Sequence, residues 1–424
     1  MSDRQESKPP PSNVATVVHG RVLDVRQEGG ARSVTLLVEH APRLIRGLPA
    51  EPPIAPGDLV AIDCPGPGCS PLITRVGGPA PGAWDPEGDA LRWRRPDQAP
   101  TRMELLWQRQ TILRAVRDHF YEQGFLEVQA PLLVSGACPD VHLDPMRADR
   151  GWLTTSTEYQ IKRMIVGGFP RVFTLTQNFR GGDAGERHNP EFTMLEWARA
   201  FAPLAAIEDD AEAFVQRALA ALSPGIDVIH YRDRAVRVAG VRWERLTVRE
   251  ALARHLDVEI DPTFSPESLR SAATRPELGI EERFRDDPYA VISLLLDRLT
   301  DHLGNDVPVF LREWPALMTS SAALEPSSPA LAERSELFIA GLELADGFPS
   351  LRDPDLQAAL FARELARRTE DGKPAVDLDT RYMEALRQGI PPGAGMALGF
   401  DRLVLLLTGQ HHIRDVLAFA WDEL

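Results

Sequence analysis

Cysteine is scarce, at three in 424 residues, which is too few for a disulfide framework. Cys64 and Cys69 flank a Pro/Gly turn and Cys138 lies far away. A zinc site needs four ligands, and no second Cys/His pair stands at finger spacing. Long apolar runs are missing too: Val404–Leu407 belongs to an amphipathic segment, and nothing approaches the ~20 residues of a membrane span. Met1 to Asn13 is polar and Pro-rich, with no signal-peptide core. Positive charge is in deficit, with 47 Lys and Arg against 62 Asp and Glu and a net charge of −15. Generic nucleic-acid affinity rests on a basic surface that releases counterions, and the total gives it no support. No nucleophilic triad, acid–base dyad or internal repeat is recognisable. What remains is a chain 43% apolar, able to bury two or three cores and expected to be soluble and cytoplasmic.

Three regions follow the polar segment 1–13. Residues 14–80 hold short alternating runs, Val17–Val25, Ser33–Val38, Asp58–Asp63 and Leu72–Val76, punctuated by Gly and Pro. They predict a small OB-like β-barrel. Single-strand binders of that kind stack bases on aromatic rings, and residues 14–80 contain no Phe, Tyr or Trp. A Pro/Gly-rich linker covers 81–102. From 103 to 424 an α+β domain is expected, opening on a helix at Glu104–Tyr121 and carrying a mostly helical, acidic insertion at about 203–330.

The chemistry concentrates in that domain. Arg171–Thr176 alternates as a strand and ends on Phe179-Arg180; a Gly-rich turn leads to Arg187-His188-Asn189-Pro190-Glu191-Phe192, which continues extended to Glu196 and Ala198. Such a strand–loop–strand sets Arg180, Arg187 and His188 against one polyanion and offers Phe192 as a flat face for a purine, since the planar guanidinium binds phosphate through charge-assisted forks. Glu336 and Glu343 flank Gly341 in a run that favours a hairpin, and two carboxylates beside a triphosphate suit Mg²⁺. Gly393–Gly399 runs into an apolar helix beginning Phe400-Asp401-Arg402 and closed by Gly409.

In this order the segments resemble motif 2, the metal-binding strand and motif 3 of class II aminoacyl-tRNA synthetases, in the lysyl-tRNA synthetase branch. Gly124–Leu133 resembles motif 1, the helix–strand element of the family's dimer interface, and implies a homodimer. Ser156–Arg163 is similar to the segment carrying the amino-acid-facing Glu. The stretches His188–Trp197, Glu343–Phe348 and Val141–Leu143 look most like the ligases that attach lysine-type amino acids to elongation factor P.

The resemblance implies amino-acid activation, in which a carboxylate attacks the α-phosphate of ATP and pyrophosphate leaves. Arg180 would bridge α-phosphate and substrate carboxylate. Arg402 would cover the adenine, with Phe192 beneath it. Arg187, His188 and Asn189 belong to the ATP side, and Glu336 and Glu343 would hold Mg²⁺. Glu158 would bind the α-amino group and Glu196 a side-chain ammonium. Departures cluster at the amino-acid end. Ser350 stands where the family has a second ammonium-binding Glu, Ala198 where it has Tyr, Asp346 where it has Asn, and Gly182 where motif 2 has Glu. Losing one charge-assisted bond weakens lysine by about 1.5–3 kcal/mol, which points to a lysine analogue such as a β-amino acid or bulkier diamine. Asp346 is expected to bring a negative charge towards the substrate carboxylate. Three activities stay open: a ligase with a protein acceptor such as elongation factor P, a lysyl synthetase charging tRNA, and a non-catalytic paralogue that binds ATP or an amino acid.

Overall fold

The computed structural model describes residues 16–28, 31–38, 41–64, 72–85, 88, 92–93, 100–182 and 184–424. The polar segment 1–13, Cys69 and most of the linker at 86–99 lie outside them. The chain divides into two compact units, Met1–Glu104 and Leu105–Leu424.

The first unit is a five-stranded antiparallel sheet: β1 (Thr16–Glu28), β2 (Ala31–Val38), β3 (Ala41–Leu48), β4 (Leu59–Cys64) and β5 (Leu72–Gly77), in the order β3-β2-β1-β4-β5. Long β1 serves two partners. Thr16–Arg21 pairs with β4 and Arg21–Glu28 with β2, across an irregularity between Val22 and Asp24 that marks a bulge and its added twist. The barrel expected here is corrected: among the described residues β3 and β5 do not pair, so the sheet stays open. Strand β3, absent from the sequence reading, begins Ala41-Pro42-Arg43, a start that masks its alternation. Val22, Val34, Leu36, Val60 and Ile62 are fully buried between the strands, each worth ~1.5–3 kcal/mol of burial.

The second unit takes in α1 (Arg102–Glu122) from Leu105 onward, then β6 (Leu126–Glu127), β7 (Leu133–Val134), β8 (Arg147–Ala148), β9 (Gly151–Leu153), α2 (Glu158–Val166), β10 (Arg171–Phe179) and β11 (Glu191–Ala200). Next come α3 (Leu204–Leu222), β12 (Val228–Tyr231), β13 (Arg234–Arg237), β14 (Glu244–Thr247), α4 (Val248–Leu256), α5 (Pro266–Ala273), α6 (Pro288–Thr300) and β15 (Val309–Pro315). Strands β16 (Leu324–Glu325), β17 (Ser328–Ile339) and β18 (Leu342–Pro349) precede α7 (Pro354–Glu370), α8 (Thr380–Gly389), β19 (Gly393–Gly399) and α9 (Phe400–Leu407).

One large sheet organises this unit, in the order β14-β15-β17-β18-β19-β11-β10-β6, with β16 added beside β17. Its central pairs are antiparallel and its outermost ones, β14–β15 and β10–β6, parallel. The span 203–330 does carry four helices, but β14 and β15 are strands of the main sheet, so it is no separate body. Alternation along β11 sorts its two faces. Leu195 and Trp197 enter a core with Phe120, Phe173 and Phe214, where Phe120 stacks on Phe173 at 4.7 Å. Phe192, Met194, Glu196 and Ala198 have the opposite parity and line a cavity. Close packing at the β11–β19 seam demands Gly393, because a Cβ there would collide with the Arg199 carbonyl.

Candidate functional site

The cavity spans about 640 Å³ and lies on the sheet face built by β11, β17, β18 and β19, closed at the sides by α2 and α6. The structure brings all the sequence-proposed site residues to its walls: Arg180, Arg187, His188, Asn189, Phe192, Glu336, Glu343 and Arg402, and with them Glu158, Glu196, Ala198, Asp346 and Ser350.

Arg180 leaves β10 with its guanidinium 5.2 Å from the Phe192 ring centroid. Its Nε is buried without a hydrogen-bond partner, a donor suited to an anion because an unmet buried donor costs ~1–3 kcal/mol. Arg402, in the first turn of α9, donates to the Glu343 carbonyl oxygen at 2.8 Å and lies 2.6 Å from His188 Nε2. Its neighbour Asp401 is engaged elsewhere, accepting the Thr193 N–H at 2.8 Å and pairing with Arg109 at 2.6 Å. A helix-start Asp401–Arg402 pair is therefore not what holds Arg402. Asn189 lines the cavity with both ends of its amide committed: Nδ2 donates to the Glu191 carbonyl and Oδ1 accepts the Trp421 N–H. Its amide braces the loop.

The carboxylates reach the cavity through a hairpin. Ala340 and Gly341 both have positive φ, the conformation of a two-residue type I′ turn. Glu336 sits opposite Asp346, and Leu337 opposite Ala345, but Phe338 pairs with Glu343 and leaves Leu344 as an extra residue. This bulge moves odd-numbered Glu343 onto the face of Glu336 and Asp346. Arg334, which sequence reasoning missed, lies on the same face and binds both. It reaches Glu336 Oε1 at 2.6 Å, Asp346 Oδ1 at 2.9 Å and Asp346 Oδ2 at 3.2 Å, with its guanidinium 4.4 Å from the Trp314 ring. The negative charge expected from Asp346 is thus met by an arginine. Burial pushes the Glu336 carboxyl well above the usual range, Arg334 opposes it, and the charge of Glu343 adds to it. Burial raises Asp346 as well, again against Arg334.

Among the described residues no group of three or more His, Cys, Asp or Glu forms a protein-only metal cage. The donor set nonetheless fits Mg²⁺ shared with phosphate: of the hard carboxylate oxygens of Glu336 and Glu343, Arg334 takes only Glu336 Oε1.

Across the sheet Glu196 is 3% exposed, and its Oε1 accepts both the Ser156 hydroxyl (3.0 Å) and the Thr157 N–H (2.8 Å). Burial lifts its pKa to about 7, against these hydrogen bonds. Glu158 and Lys162 lie one helical turn apart on α2 and pair at 2.5 Å. Ala198 is buried among Tyr159, Ile161, Ile165, Tyr382 and Ile390. Helix α6 adds Tyr289, Ser293, Leu296 and Thr300 from one face. Tyr289 stacks on His142 and hydrogen-bonds its Nε2, while the Arg367 guanidinium lies 3.9 Å from the Tyr289 ring. No motif marks Tyr289 or Arg334, and Lys162 stands inside the Ser156–Arg163 segment without a role assigned from sequence; their partners are set by the folded sheet and helix faces.

A family model described as "tRNA synthetases class II (D, K and N)" matches residues 90–423. The chain belongs to that family. An elongation factor P–(R)-β-lysine ligase of Yersinia enterocolitica is 33% identical over 326 residues, 74% of this chain and 94% of the relative. A similarly named ligase of an Enterobacter species is 32% identical over 75% of this chain and 95% of its own length. A lysine–tRNA ligase of Magnetococcus marinus is 34% identical over 74% of this chain, but only 63% of that relative. These relatives are ligases of the class II synthetase type, and the described part of the chain contains no helix long and apolar enough to cross a membrane.

Proposed function

We propose that the protein is an ATP-dependent ligase that activates a lysine-like amino acid as its adenylate and transfers it to elongation factor P. The observation that carries this reading is one cavity that gathers arginines and facing carboxylates together with Glu158 and the buried Glu196. Two anions must meet in such a reaction, so positioning and electrostatic stabilisation dominate over proton transfer. Arg180 holds the α-phosphate and the attacking carboxylate together. Arg187, His188 and Arg402 take the outer phosphates, with Phe192 under the adenine. Glu336 and Glu343 would hold Mg²⁺, which would supply charge neutralisation at the phosphates. Glu158 orients the α-amino group and Glu196 receives the side-chain ammonium. The aminoacyl group passes to an acceptor amine as AMP leaves. In this reading the protein works in the cytoplasm as a homodimer through the motif 1 element, and its first unit is an OB-like module without the aromatic platform that tRNA recognition uses.

ATP–pyrophosphate exchange tests the activation step. Exchange that depends on a cationic amino acid and on Mg²⁺ is expected; ATP binding without exchange for lysine, β-lysine or ornithine would contradict it. The pKa of Glu196 adds a second expectation. A carboxyl half-protonated near pH 7 binds a cation only in its ionised form, so the KM for the cationic amino acid should fall as pH rises from about 6 to about 8, by at most about tenfold per unit below 7. Glu196→Gln should abolish that slope. An unchanged slope in the variant would take Glu196 out of ammonium recognition.

A further inference from the structure

The amino-acid end already contains a cation of its own. Lysine is rare in this chain, at positions 8, 162 and 373 only, among 47 basic residues. Lys162 lines the cavity beside Glu158, Phe348 and Ser350, with its side chain 7% exposed. Its ammonium is 2.5 Å from Glu158 Oε1, 5.2 Å from the Phe348 ring centroid and 5.8 Å from that of Tyr382. Tyr382 is held in place by Tyr159, stacked at 4.4 Å. A carboxylate flanked by two aromatic faces is a receptor for an alkylammonium. Here it is filled from within, by a compact point charge that a planar guanidinium would not replace.

Neighbouring carboxylates are engaged differently. Asp346 is committed to Arg334 through both oxygens. Glu196 uses only Oε1, for Ser156 and Thr157. Beside it the wall is aliphatic, formed by Ile161, Ile165, Ala198 and Ile390, all at least nine-tenths buried.

We propose that Lys162 is a specificity-determining residue: it pre-fills the cage of Glu158, Phe348 and Tyr382, so the cavity accepts one side-chain ammonium, at Glu196, on an aliphatic stem. The inference rests on the amino-acid-activating reading above. It leaves Glu158 Oε2 to orient the α-amino group, and it excludes amino acids whose side chain needs two cation sites.

Butylammonium titrated into the full chain, followed by calorimetry, tests the cage without ATP or turnover. Lys162→Ala should bind the amine saturably, at least tenfold more tightly than the wild type. Adding Glu158→Gln to that variant should remove the gain. Equal binding by wild type and Lys162→Ala, or binding that survives the loss of Glu158, would overturn the proposal. A second measurement needs no variant. With three lysines, ¹³Cε labelling resolves each one, and Lys162 should show an upfield ring-current shift that persists when lysine saturates the protein. A solvent-like Lys162 signal would equally overturn it. A protein that passes both tests yet exchanges no amino acid would sink the ligase reading and leave the filled cage standing.

Discussion

Arg180→Ala is expected to lower kcat/KM for adenylate formation by about 10²–10³-fold, the loss seen when one preorganised donor to developing charge is removed from a water-poor site. The expectation follows from placement. Arg180 directly follows β10, its backbone N–H is fixed to the Pro190 carbonyl at 3.0 Å, and its side chain rests on Phe192. A buried Nε without a partner means that the protein itself does not satisfy this group. Arg180→Lys keeps the charge but not the fork, and should recover only part of the loss. Pyrophosphate exchange at saturating ATP separates the cases. A variant with normal kcat and raised KM for ATP alone would place Arg180 in nucleotide binding and remove it from the reacting centre.

Arg334→Met should destabilise the second unit by about 3 kcal/mol, near the low end of what breaking a buried pair costs, because Arg334 retains 18% side-chain exposure. The variant leaves Glu336 and Asp346 facing each other across the β17–β18 register without a cation, with Glu343 on the same face. Thermal unfolding should show a drop of several degrees, partly reversed when Asp346→Asn is added, since that change removes one of the stranded charges. An unchanged melting temperature would mean that the Glu336–Asp346 pair needs no arginine.

Elements that share a short stretch of chain were legible in the sequence. The β10–β11 hairpin is marked by its alternation and its Gly-rich turn, which also place Phe192, Glu196 and Ala198 on one face. The Gly393–Gly399 strand and its apolar helix are read from glycine followed by Leu and Val. Glu336 and Glu343 were picked out together, but nothing local announces the bulge at Leu344 that lets an odd-numbered and an even-numbered residue share a face. Arg334 carries no motif, and Lys162 stands within the Ser156–Arg163 segment without a role of its own, because an i,i+4 ion pair and a cross-strand arginine are ordinary surface patterns until burial is known. Strands β14 and β15 were absorbed into a helical span: β14 has four residues, β15 seven, and both follow helices or loops whose signals are stronger. The closed barrel expected of the first unit fails for a related reason, since the pairing of first and last strands is a long-range property that short alternating runs do not encode.

The central claim, transfer of an activated lysine-like amino acid to a protein, is tested most directly by mass spectrometry of elongation factor P. The purified protein would be incubated with it, ATP, Mg²⁺ and either lysine or β-lysine, with bulk tRNA present as competitor. The account predicts a mass increase of one aminoacyl group on elongation factor P, dependent on Arg180, with tRNA left uncharged. Aminoacylated tRNA beside unmodified elongation factor P would contradict it.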